Sequence, residues 1–147
     1  MKRSNFIYYF VPKIIGLLFI LLFVYAASSK LLAFQQFETQ LVKSPFFSAY
    51  AHWMVWMIPL SELSVVVLFL FQKYLLLAFY SSLFIMTLFS LYIYLVLNFS
   101  DSIPCACGGF LSNLGWREHF IFNMVFIILA LIGVITTHKQ RLIPFSK

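Results

Sequence analysis

YLLLAFYSSLFIMTLFSLYIYLVLNF, residues 74–99, decides the fold of this chain. It holds no Asp, Glu, Lys or Arg, and Lys73 and Asp101 flank it. A helix needs about 20 mostly apolar residues to cross a hydrocarbon core. At 1.5 Å rise per residue this stretch reaches roughly 39 Å, enough to cross with tilt. Written as a strand it would leave open edges that lipid cannot satisfy.

Only Gln72 and Lys73 separate this stretch from another, about 53–71, whose one charge is Glu62. The two should form a tight antiparallel hairpin. Further out lie apolar segments at about 14–34, interrupted by Lys30, and at about 117–137. The first resembles a signal peptide: Lys2, Arg3 and Lys13 look like a basic leader, and Ala26-Ala27-Ser28 like a cleavage site. Three further spans need a first helix to set their direction, so it is read as retained.

Composition agrees. The 147 residues are 63% hydrophobic and 10% charged, against about 25% charged in soluble domains. Too little polar surface exists to coat a water-soluble globule. The expected fold is all-α, one polytopic membrane domain over 1–147, with four transmembrane helices and both termini cytoplasmic. Nineteen Phe and eight Tyr point to thick aromatic walls facing lipid. The net charge of +6 would hint at nucleic acid in a soluble protein. Here the cations sit at segment ends, so the bilayer is the partner and no nucleic acid is expected.

Direction follows from those cations. Seven of them, Lys2, Arg3, Lys13, Lys73, Lys139, Arg141 and Lys147, fall on one side, against three, Lys30, Lys43 and Arg117, on the other. The richer side is cytoplasmic. The segment before the second span and the loop 100–116 then face outward, in a bacterial inner membrane into the oxidising periplasm. In the outer segment Leu31, Phe34, Phe37 and Leu41 recur at spacings of three or four, so it should extend the first helix or lie on the interface. Ser44-Pro45 should end it, and Tyr50, Trp53 and Trp56 suit the headgroup belt.

The loop 100–116 carries both cysteines of the chain, in Cys105-Ala106-Cys107-Gly108-Gly109 after Pro104. Two thiols one residue apart can just meet the separation a disulfide needs, with strain. A strained, exposed disulfide exchanges readily, which fits a disulfide carrier better than a staple. C-x-C is a weaker signal than C-x-x-C, and two small residues in a turn are the bland alternative. The last helix should start after Gly115, capped by Ser112 or Asn113, with Trp116 at the interface and Arg117 and His119 on its first turn. The helix N-terminus and cations favour the thiolate, while Asp101 and Glu118 oppose it. A metal site from Cys105, Cys107, His119 and His52 ranks below redox chemistry, since neither His spacing matches a standard zinc pattern. No metal ligand is assigned, and a lone interfacial His is usually a polar anchor.

Glu62 lies nine residues past Trp53, roughly 13 Å along a helix. A carboxylate at that depth is expensive unless paired or neutral. Lys30 lies at similar leaflet depth. A Lys30–Glu62 pair, or a neutral Glu62 bonded to Ser61 or Ser64, would lock helices together. A proton acceptor or a quinone contact is the functional alternative, and the structural one is preferred. Pro59 should kink the second span.

Read in order, Ser29-Lys30, Pro59 and Glu62, the C-A-C-G-G element, Trp116-Arg117 and Asn123 resemble the MauE/DoxX-like family of redox-associated four-helix membrane proteins. Where that family often reads C-G-C-F-G, this chain has Ala106 and Gly108, and both thiols stay. The resemblance implies a role in disulfide formation or in maturing exported cysteine-containing proteins. Cys105 and Cys107 would carry the chemistry, supported by Lys30, Glu62, Trp116, Arg117, His119 and Asn123. The methylamine-utilisation member is associated with maturing a disulfide-rich dehydrogenase subunit. Implied partners are a periplasmic thioredoxin-like protein, an exported client or a membrane complex. The architecture is also similar to that of quinone-linked disulfide oxidoreductases, so quinone is the one cofactor in view. Such enzymes usually relay through two dithiols, and this chain has one. A non-enzymatic subunit or chaperone anchoring an envelope complex is therefore the competing role.

Overall fold

A computed structural model describes residues 2–44, 47–99 and 115–142. Cys105, Cys107 and the rest of 100–114 lie outside the described residues, as do Pro45, Phe46 and the Trp116 side chain. Among the described residues five α-helices follow one another: α1 Lys2–Leu32, α2 Phe34–Lys43, α3 Ala51–Leu70, α4 Leu75–Phe99 and α5 Trp116–Leu142. Single 3-10 turns, Ser48–Tyr50 and Gln72–Tyr74, lead into α3 and α4. No strand occurs among the described residues. All but α2 are long and apolar enough to cross a membrane.

The helices overrun their apolar cores. α1 starts at Lys2 and α5 ends at Leu142, because helical hydrogen bonding continues past the hydrocarbon edge until a residue breaks it. Pro12 lies inside α1 and Pro59 inside α3 without ending either, as membrane helices allow. Ala33 leaves the helical region at φ −103°, ψ 38°. α2 is thus a separate helix. Its buried residues, Phe37 and Leu41, pack on Ala51 and Val55 of α3. Ser44 ends it in extended backbone at φ −71°, ψ 129°, the conformation favoured before a proline.

The four long helices run alternately up and down and close into a ring, α1 against α3, α3 against α4, α4 against α5 and α5 against α1. At one end Arg141 donates to the Lys73 carbonyl at 2.8 Å, and Lys139 Nζ lies 5.6 Å from the Tyr8 ring centre. At the other, the Tyr92 hydroxyl of α4 donates to Ser44 Oγ at 3.1 Å, and Phe47 packs on Tyr92 with centres 5.2 Å apart. The ends of α4 and α5 that the cysteine loop joins, Phe99 and Gly115, lie at this second end, together with α2.

At most 33% of the apolar window of any span is buried inside the bundle, and each span carries exposed apolar residues such as Leu17, Leu60, Phe84 and Ile128 suited to lipid. Aromatic residues do more than line that wall. Phe19 of α1 is fully buried and stacks on Phe69 of α3, at 5.8 Å and 11°. Its ring also meets Phe79 of α4 at 6.2 Å and Phe126 of α5 at 5.3 Å, both edge-on. One side chain thereby joins all four spans. Gly133 lets α5 approach α4, since a Cβ there would lie 2.6 Å from Phe79 Cδ1.

Candidate functional site

α3 buries Ala51, Val55, Pro59, Glu62, Val65 and Phe69. Their spacing of three or four draws one stripe down the helix, and Glu62 is the one charge on it. Its side chain is 1% exposed. Lys30, on the last turn of α1, meets it: Nζ lies 2.7 Å from Glu62 Oε1. Lysines near a span end usually snorkel outward. This one turns back along α1, as helical side chains lean toward the N-terminus. It also donates to the Ala26 carbonyl at 3.2 Å, and Nζ lies 5.6 Å from the centre of the Phe89 ring on α4. The ammonium is therefore shared among α1, α3 and α4.

Glu62 Oε2 is buried and meets no hydrogen-bond donor among the described residues. The neighbouring serines do not serve it: Ser61 Oγ donates to the Ile58 carbonyl and Ser64 Oγ to the Leu60 carbonyl, each at 2.7 Å. Of the two structural alternatives the expected pair with Lys30 is the one formed, because each serine hydroxyl finds a carbonyl within its own helix.

α5 supplies the next polar groups. It opens at Trp116, with His119 N–H donating to the Gly115 carbonyl at 3.0 Å. Glu118 stands in this first turn, where a carboxylate complements the helix dipole. Arg117 is exposed. His119 is half-buried. Asn123, one turn further along the same face, is 4% exposed. Lys30, Glu62, His119 and Asn123 thus turn inward, while Arg117 faces out. Cys105 and Cys107 lie outside the described residues.

His52 is 83% exposed and lies 3.8 Å from Glu38 Oε1 of α2. It begins α3, and His119 begins α5, diagonally across the ring, so the two histidines considered as metal ligands are held apart. Among the described residues no three His, Cys, Asp or Glu side chains gather as a metal site. Phe89 and the Ala26 carbonyl escaped the sequence reading. Neither carries a pattern, since one is an aromatic in an aromatic-rich helix and the other is backbone.

A buried Lys–Glu pair joining the first two spans, ahead of a dithiol loop and an inward Asn, is a distinctive arrangement. The family model for methylamine utilisation protein MauE matches residues 8–136. The chain belongs to the MauE family. The match covers every residue of the candidate site and says nothing of DoxX. No curated protein and no solved structure matches the chain significantly. For a MauE-family member the four apolar helices fit a multi-pass membrane protein in contact with lipid, and the family's name ties its kind to methylamine utilisation.

Proposed function

We propose that this MauE-family protein supports thiol–disulfide exchange during the maturation of exported cysteine-containing proteins. The observation that carries the reading is placement. The only two cysteines of the chain stand one residue apart, in the segment 100–114 that links α4 to α5 in sequence. Membership of the MauE family supports a maturation role. In the orientation favoured by the cations, that segment faces the periplasm of a bacterial inner membrane.

The exchange balances without a further cofactor. A client thiolate attacks one sulfur of a Cys105–Cys107 disulfide, and a mixed disulfide forms as the other sulfur leaves. The client's second thiolate resolves it. The client gains its disulfide, and Cys105 and Cys107 become a dithiol. A thioredoxin-like partner in its disulfide form reoxidises that dithiol by the reverse sequence and leaves as a dithiol. Arg117 and His119, just after the loop in sequence, supply cationic and polar surroundings.

A second reading rests on cysteine number. One dithiol cannot pass electrons on within the chain, so the protein would anchor or chaperone a larger complex that completes the relay. Alkylation mass-shift assays in intact cells distinguish the two. A reversible oxidised form, with function lost in Cys105→Ser and in Cys107→Ser, is expected. Thiols that stay reduced and dispensable, with a stoichiometric partner retained by both variants, would establish the anchoring role instead.

A further inference from the structure

The unpartnered oxygen of Glu62 is the feature that the fold leaves unexplained. A buried polar atom without a partner carries a desolvation penalty, and native proteins fill such places with ordered water or ligand. Among the described residues, both halves of a two-point site lack a partner. An ammonium has three N–H donors. Lys30 gives hydrogen bonds to the Ala26 carbonyl and Glu62 Oε1, which leaves one N–H without an acceptor among the described residues, and the face of Phe89 lies 5.6 Å away. Glu62 Oε2, the other oxygen of the same carboxylate, is an acceptor with no donor among the described residues. A spare donor and a spare acceptor thus stand side by side.

We propose that Lys30 and Glu62 form a binding site for one neutral hydroxyl group, which donates its hydrogen to Glu62 Oε2 and accepts the third N–H of Lys30. An alcohol or phenol oxygen does both at once. A carbonyl would leave Oε2 unmet, and a second cation would confront Lys30. Water and the head hydroxyl of a lipid-soluble quinol both bring this chemistry into a bilayer. Phe89 beside the ammonium offers either one an aromatic wall. The site stands on the ion pair alone, whether or not Cys105 and Cys107 exchange disulfides.

The test is a crystal structure of the full chain grown in a lipid mesophase, with a titration of decylubiquinol into the protein in detergent micelles. One density feature within hydrogen-bonding distance of both Oε2 and Nζ is expected. A lone oxygen, with no saturable decylubiquinol binding, identifies water as the occupant. Density continuing into a ring, with saturable binding, identifies a quinol. That binding should weaken roughly ten- to hundredfold in the Lys30→Met, Glu62→Met double variant, the loss expected for hydrogen bonds to charged groups. The double variant removes both charges together and so leaves no stranded ion to unfold the bundle. Oε2 bonded to a protein donor, no density between the pair and no binding would overturn the site.

Discussion

Replacing Lys30 by Met strips Glu62 of its one donor among the described residues. The methionine keeps much of the lysine stem's volume, so packing on α1 changes little. What changes is the carboxylate, 1% exposed, with no protein donor to Oε2 among the described residues in the native protein and none to either oxygen in the variant. Breaking a buried pair from one side costs about 3–5 kcal/mol, because the surviving charge is left without compensation. On soluble-domain scaling that lowers Tm by roughly 10 °C. Glu62→Met should cost less, since Lys30 is 16% exposed and keeps the Ala26 carbonyl. Changing both residues to Met should lose less than Lys30→Met alone, as replacing a whole buried pair by apolar groups is often neutral or stabilising. Thermal unfolding in detergent, followed by circular dichroism, measures all four proteins. A double variant that loses the sum of the two single losses would refute the coupling and leave Glu62 and Lys30 as independent residues.

Three further outcomes follow from the packing. Gly133→Ala should cost about 1–3 kcal/mol, measured by the same unfolding assay, because the new methyl meets the Phe79 ring, which Phe19 and Phe69 hold edge-on. Tyr92→Phe should cost about 1 kcal/mol through the lost bond to buried Ser44, and should speed proteolysis after Lys43 as α2 loosens from α4. With the termini cytoplasmic, a membrane-impermeant maleimide applied to reduced, intact spheroplasts should label Cys105 and Cys107, whereas a cysteine placed at Ser146 should react only after lysis.

The four spans were legible because lipid demands long apolar runs, and 74–99 has no charge to interrupt it. Their polar ends were not legible. Nothing in Lys2–Lys13 or His138–Leu142 signals where a helix stops, so α1 and α5 run past the expected limits. The separation of α2 from α1 was left open, since the spacing of Leu31, Phe34, Phe37 and Leu41 fits one bent helix as well as two. The break at Ala33 depends on Phe37 and Leu41 reaching α3, a contact between distant parts of the chain. The Lys30–Glu62 pair could be anticipated from cost alone, because a charge in a span needs a partner. Phe89 could not, since any of several aromatics on α4 might face that way until the ring of helices is closed.

Lys30 also bears on the orientation proposed for the bundle. Counted as an outer cation, it weakens the asymmetry on which that orientation rests. Its ammonium, however, turns back along α1 to Ala26 and Glu62, away from the end of the helix, and its charge is answered inside the bundle. At the opposite end cations sit on aromatic faces, with Lys13 over Tyr9 at 3.9 Å and Lys139 over Tyr8 and Lys73 over Tyr74 each at 5.6 Å, an arrangement suited to a headgroup layer. With Lys30 turned to Glu62, the side that the proposed orientation makes outer retains Lys43 and Arg117 against seven cations on the other side. Lys30, one of three outer cations when read as sequence, is thus, in the fold, part of the interior chemistry. Insertion direction and the buried pair are separate demands on the same lysine, and only the second keeps it near Glu62.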